Sequence, residues 1–242
     1  MKKKFHNRFY YVFLFVLLLI CTGCGSKKAS VNTDDSIPVE EQSQAANSPA
    51  ESTEESEAAF PILLEEGKLA IKSIFQSSIP NPDNGFEEAV DMASIELVNQ
   101  SDAYLEQAEI AITLEDGTAL TFEVFDIPAG KTVWAFDLNN TTIAAEHPYR
   151  EASSKAEFDE DYDGWEGQFQ VDSESAIVEL KNLTGKKQKD MKVKVHCAMD
   201  GSYFGGTSYE YNVEQIASEE TVTLEIIESY FGEAEVVRIE YQ

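Results

Sequence analysis

The run Asp159-Glu160-Asp161-Tyr162-Asp163-Gly164 puts carboxylates at i, i+2 and i+4 and follows them with a glycine. Alternate residues of an extended loop fall on one side, and glycine lets the chain turn sharply. Asp159, Asp161 and Asp163 therefore have the spacing of the first half of a calcium-binding loop. The second half is incomplete: the twelfth position, which should supply a bidentate Glu, is Gln170, and the eighth, where an apolar residue belongs, is Glu166. Three carboxylates with no closing ligand make a weak calcium site that only extracellular, millimolar calcium would fill; the alternative is a solvated acidic turn. No other cofactor is indicated. A second stretch, GSYFGGTSYEY (201–211), groups aromatic residues around glycines. It reads either as an aromatic platform for a glycan or peptide, or as a hairpin whose aromatics join the core. Tyr209 and Tyr211 alternate inward, whereas Tyr203 and Phe204 lie in a segment inserted relative to copy one and are the pair expected at the surface, hence the ligand-binding candidates. Residues suited to catalysis are sparse. His147 precedes Pro148, His196 falls on the polar side of an alternating segment, and Cys197 falls on its apolar side. None has nucleophile or metal spacing, so no enzyme is expected.

The elements that must position these residues come in two copies. IELVNQSDAYLEQAEIAI (95–112) aligns without a gap on VELKNLTGKKQKDMKVKV (178–195), matching Glu96 to Glu179, Leu97 to Leu180 and Asn99 to Asn182. Asp116-Gly117 answers Asp200-Gly201. After an insertion of a few residues in the second copy, Phe122, Val124 and Ile127 answer Tyr211, Val213 and Ile216, and Thr132-Val133 answers Thr221-Val222. A duplicated supersecondary unit is the simplest explanation. Within each copy apolar residues alternate: Ala108, Ile110, Ile112 and Leu114 in the first, Met191, Val193, Val195, Cys197 and Met199 in the second. Period two marks half-buried antiparallel strands, and the Asp-Gly pairs suit hairpin turns. The last strand of the unit is discordant. Trp134, Phe136 and Leu138 define one face in copy one, whereas Val222, Leu224 and Ile226 define the opposite face in copy two, which predicts a bulge or a slip there. A short helix near Phe60–Glu66 and an edge strand near Leu69–Phe75 precede copy one. The expected fold is all-β: two tandem immunoglobulin-like antiparallel β-sandwich modules, at 60–142 and 165–242, joined by a connector at 143–164 that carries the acidic loop.

Ahead of these lies a cationic cluster, Lys2, Lys3, Lys4 and Arg8, then an apolar run from Phe9 to Cys21 and small residues from Thr22 to Ser26. Thirteen residues make a helix of about 20 Å, short of a hydrocarbon core of about 30 Å. The layout is that of a secretory signal over residues 1–23. The cysteines at 21 and 24 leave three readings: a disulfide, the end of a membrane anchor, or a lipid attachment. Residues 1–24 resemble the signal peptides of bacterial lipoproteins, whose motif ends in a small residue followed by the lipidated cysteine, here Gly23-Cys24. That resemblance implies cleavage after Gly23, diacylglycerol on Cys24, and retention on the outer face of the cell membrane. Loss of residues 1–23 takes four of 18 basic residues and none of 45 acidic ones, leaving 14 against 45, or −31. Such a charge excludes nucleic acid and anionic surfaces as partners and is otherwise a solvated surface.

Residues 24–59 are rich in Ser, Ala, Glu, Asn and Pro and nearly lack large apolar side chains. They read as a disordered acidic tether, with a reach of roughly 30–35 Å. The body also resembles a set of clostridial-type surface proteins of unassigned function, through LVNQSDAYLEQAEIAI with IPAGKTV, and YFGGTSYEYNVEQIASEETV. That likeness implies paired β-sandwiches and carries no activity. The expected protein is a lipid-anchored surface module, non-catalytic, with a protein or glycan partner. The alternatives are a calcium-stabilised adhesion-like protein and a solute-binding lipoprotein of a transporter, although the latter fold calls for alternating strands and helices.

Overall fold

The computed structural model describes residues 60–80, 89–144, 148–227 and 232–241. They are all-β, as the alternation predicts. The first half contains β1 (Ile62–Leu64), β2 (Leu69–Ile79), β3 (Val90–Asn99), β4 (Tyr104–Leu114), β5 (Ala119–Ile127), β6 (Thr132–Phe136) and β7 (Tyr149–Asp159). The second contains β8 (Phe169–Glu174), β9 (Ile177–Asn182), β10 (Gln188–Met199), β11 (Ser202–Phe204), β12 (Tyr209–Ile216), β13 (Thr221–Glu225) and β14 (Glu233–Glu240).

The pairing pattern repeats along with the sequence. In the first half β3 lies between β2 and β6, and β4 lies between β5 and β7, all antiparallel. In the second, β9 lies between β8 and β13, and β10 between β12 and β14, again antiparallel. Each half is thus two three-stranded layers closed over a core. Ile71, Ile95 and Leu97 meet Ile110, Ile112 and Phe122 in the first core. Val178 and Leu180 meet Val193, Val195 and Val213 in the second. Each large apolar side chain buried this fully contributes roughly 1.5–3 kcal/mol relative to exposure.

Two strands fall outside the repeat. β1 lies along only the first three residues of β2, Leu69–Ile71; beyond Ile71, among the described residues, β2 pairs on one side alone and is an edge, as expected near Leu69–Phe75. The helix expected near Phe60–Glu66 is replaced by β1 and a tight turn, Glu65–Gly67, whose three residues all have positive φ. β11 is the insertion seen in copy two. It turns back from β10 through Asp200 and Gly201, both at positive φ as a two-residue hairpin turn requires, and pairs in parallel with β6. One eight-stranded sheet therefore runs through both halves, in the order β1-β2-β3-β6-β11-β10-β12 with β14 on the far side of β10.

The discordant strand needs no bulge. Val133 and Ala135 of β6 face the first core, matching Val222 and Leu224 of β13. Trp134 and Phe136 point the other way, into a satellite cluster with Phe204 of β11 and Met92. A strand covered on both faces loses its alternation, and the larger residues happen to lie on the outer face. Residues 149–159, within the stretch read as a connector, form β7 and complete a layer of the first sandwich.

The matched asparagines hold equivalent positions. Asn99 is fully buried; its Nδ2 donates to the carbonyls of Ala103 and Ile127, both at 2.9 Å, and its Oδ1 accepts from Ser101 N and Oγ at 3.2 and 2.7 Å. Asn182 does the same with Lys186 and Ile216 carbonyls at 2.7 and 3.2 Å and with Thr184 N and Oγ1 at 2.9 and 2.7 Å. Each side chain ties the ends of three strands together across a loop. Asn99→Ala and Asn182→Ala should each cost roughly 2–4 kcal/mol, because buried carbonyls are left without donors, while Ser101→Ala should cost roughly 0.5–1.5 kcal/mol. Urea midpoints at constant slope check this; equal losses for the asparagine and serine variants would contradict it.

Candidate functional site

The candidate residues from the sequence disperse. Asp159 ends β7 and is committed within the protein: Oδ2 accepts from Arg238 Nη2 at 2.9 Å and Oδ1 accepts from the Asp161 amide at 3.1 Å. Asp161 and Asp163 are exposed, and Asp163 lines a cleft described below. Among the described residues, no group of three or more His, Cys, Asp or Glu is placed to hold a metal ion. Tyr203 and Phe204 are 1% and 4% exposed, which overturns their expected place at the surface. They are buried because β11 sits inside the continuous sheet, between β6 and β10. His196, expected on a polar face, is fully buried for a related reason. The side of β10 away from the second core is covered by the first half, so His196 Nε2 lies 2.8 Å from the Phe125 carbonyl and its ring stacks on Tyr203 at 4.5 Å. Cys197 is buried, as its alternation indicates. Cys24 and His147 lie outside the described residues.

A network of charged and phenolic groups fills the junction between the halves. Cross-strand pairing sets Arg238 of β14 opposite Lys194 of β10. Arg238 reaches Glu106 of β4 at 3.2 Å and Asp159 of β7 at 2.9 Å, with Glu240 Oε1 3.0 Å from Nε. Its guanidinium also lies 5.0 Å from the ring centre of Tyr104 and 4.8 Å from that of Tyr162. Burial works against the charge of Arg238, but Glu240, Tyr104 and Asp159 outweigh it and hold its pKa above the ordinary value. Lys194 Nζ binds Asp126 Oδ1 at 3.0 Å. Tyr104 donates to the same oxygen at 3.1 Å, and Ser208 donates to Oδ2. Nearby, Tyr203 donates to Glu235 at 3.0 Å and Lys131 pairs with the same carboxylate oxygen. Desolvation raises three phenols: Tyr104, further raised by Asp126; Tyr203, further raised by Glu235; and Tyr162, pushed up to about 12.

Beside this network a cleft of about 520 Å³ opens between the 162–166 loop and β14. Tyr162, Trp165, Lys131 and Glu233 are among its lining residues. Trp165 and Glu233 carried no functional signal of their own in the sequence. Trp165 had only the neighbouring acidic run as a cue and Glu233 had none, because the cleft exists only once β14 returns against the first half. The arrangement offers aromatic side chains and a carboxylate rim, a combination that suits binding. No protein-family model and no curated protein matches this chain in sequence.

The raised phenols predict an alkaline limit. Their folded pKa values lie above the unfolded value near 10, so their contribution is complete below pH 10 and is lost as pH rises beyond it. Tyrosinate absorbance should rise in two stages, exposed phenols first and Tyr104, Tyr162 and Tyr203 only with unfolding. A single stage with the fold intact would contradict this. Arg238→Gln should cost roughly 1–3 kcal/mol in urea, between exposed and fully buried ion-pair losses, because its acidic partners are partly solvated. A loss below about 0.5 kcal/mol would reduce the network to a surface feature.

Proposed function

We propose that this chain is a lipid-anchored protein of the extracytoplasmic face of the cell membrane, serving as a non-catalytic binding or accessory module. The observation that carries the reading is the order of elements at the start of the sequence: four cations, an apolar run too short to span comfortably, then Gly23-Cys24. Two acyl chains on Cys24 suffice for stable anchoring, at about 0.8 kcal/mol for each buried methylene. The body supports binding over chemistry. Its described His and Cys are both buried, with His196 against a backbone carbonyl and Cys197 in the apolar alternation of β10. Its acidic charge favours solubility and cationic partners.

In the native membrane, the amino-terminal peptide should begin at Cys24 and carry diacylglycerol. Cys24→Ala should abolish that mass increment and shift the protein out of the detergent-extracted fraction. Retention of residues 1–23 on the purified protein, or an unmodified thiol at position 24, would end the reading.

A further inference from the structure

We infer that the cleft between the 162–166 loop and β14 binds a small organic cation: an amine, a guanidinium or a quaternary ammonium group. The inference deepens the binding-module reading and rests on it.

The cleft volume of about 520 Å³ is of the size that holds a small molecule. Five carboxylates line it, from Asp102, Asp163, Glu166, Glu233 and Glu235, against one cation, Lys131. Lys131 is already paired with Glu235. Arg238, which lies over the lining residues Tyr104 and Tyr162, is held by Glu106, Asp159 and Glu240. Among the described residues, no cation of the protein forms an ion pair with Asp102, Asp163, Glu166 or Glu233. The cleft therefore carries an uncompensated negative field, in a chain whose formal charge is −27.

The walls decide which cation fits. A metal ion needs several oxygens converging on one point, and the described residues provide no such group. Here the carboxylates share the lining with an indole and a phenol, Trp165 and Tyr162. A diffuse cation with an apolar shell matches that surface, through the attraction of a positive charge to an aromatic face and long-range attraction to the rim. The protein uses the same chemistry on itself, setting Arg238 over Tyr104 and Tyr162. Among the described residues no protein cation lies over Trp165. Backbone geometry supports the rim: Gly164 has φ +78°, and a Cβ there would overlap the Glu166 carboxylate, which folds back over the glycine.

The test uses the full-length lipidated protein in neutral detergent, carrying Trp134→Phe so that Trp165 is the remaining indole of the two in the sequence. Choline, butylammonium and methylguanidinium are titrated, each against its neutral isostere, with calcium chloride as a separate arm. At least one organic cation should saturate and shift Trp165 emission, with its isostere at least about tenfold weaker. The double variant Glu166→Gln, Glu233→Gln changes two exposed side chains, so it should fold; it should weaken that cation about fivefold and flatten its salt dependence. Equal binding of cation and isostere, no saturation by any of the three, or saturation by calcium alone overturns the inference. The mass of the Cys24 peptide reads the anchored-module proposal independently, so the failure of one is distinguishable from the failure of the other.

Discussion

The structure depends on one short parallel pairing. Ser202, Tyr203 and Phe204 of β11 lie in register with Thr132, Val133 and Trp134 of β6, and this joins the layers of two duplicated sandwiches into one sheet. The joint continues past the strand. Gly205 N donates to the Trp134 carbonyl at 3.0 Å, and Phe125 N donates to the Gly206 carbonyl at 2.8 Å. Any Cβ at Gly206 would overlap the Glu123 carbonyl, so the close approach of these backbones requires glycine. The burial of Tyr203, Phe204 and His196 follows from that approach. So does the juxtaposition of β14 with the first half that forms the cleft.

Charge economy follows the same geometry. The chain has 18 basic residues against 45 acidic ones, and the two cations at the centre of the junction each meet more than one carboxylate. Arg238 meets three and Lys194 two. Exposed ion pairs elsewhere, such as Lys68 with Glu160, contribute little in high dielectric. At the junction, side chains from β4, β5 and β7 are held to β10 and β14 where water is partly excluded, and there the geometry rather than the number of pairs matters.

Much of the fold was legible because period two survives wherever one face of a strand is solvated. Ala108, Ile110, Ile112 and Leu114 all point inward, and so do Met191, Val193 and Val195. The duplication was legible through Asn99 and Asn182, whose side chains perform one task in two places. Most of what failed to read was buried by a distant element. β6 showed the wrong face because Trp134 and Phe136 are covered by β11, three residues long and without a pattern of its own. β7 was missed because its inward positions include small Ala152 and Ala156 among Arg150, Glu151 and Lys155. His196 read as solvated because nothing near it in sequence announces the Phe125 carbonyl. The acidic loop was visible as a motif, yet Asp159 answers an arginine 79 positions away.

The joint also orders events in time. β6 pairs with β3 through residues that precede the second copy, whereas β11 finds its partner only on a β6 already in place. In a chain emerging from its amino-terminal side, β6 would present an unpaired edge with Phe204 not yet over Trp134 and Phe136, and the first core would still lack Tyr203 and Val237. That is the surface on which nascent chains adhere to one another. The inserted strand of the second copy pairs with that edge, and its Phe204 covers Trp134 and Phe136.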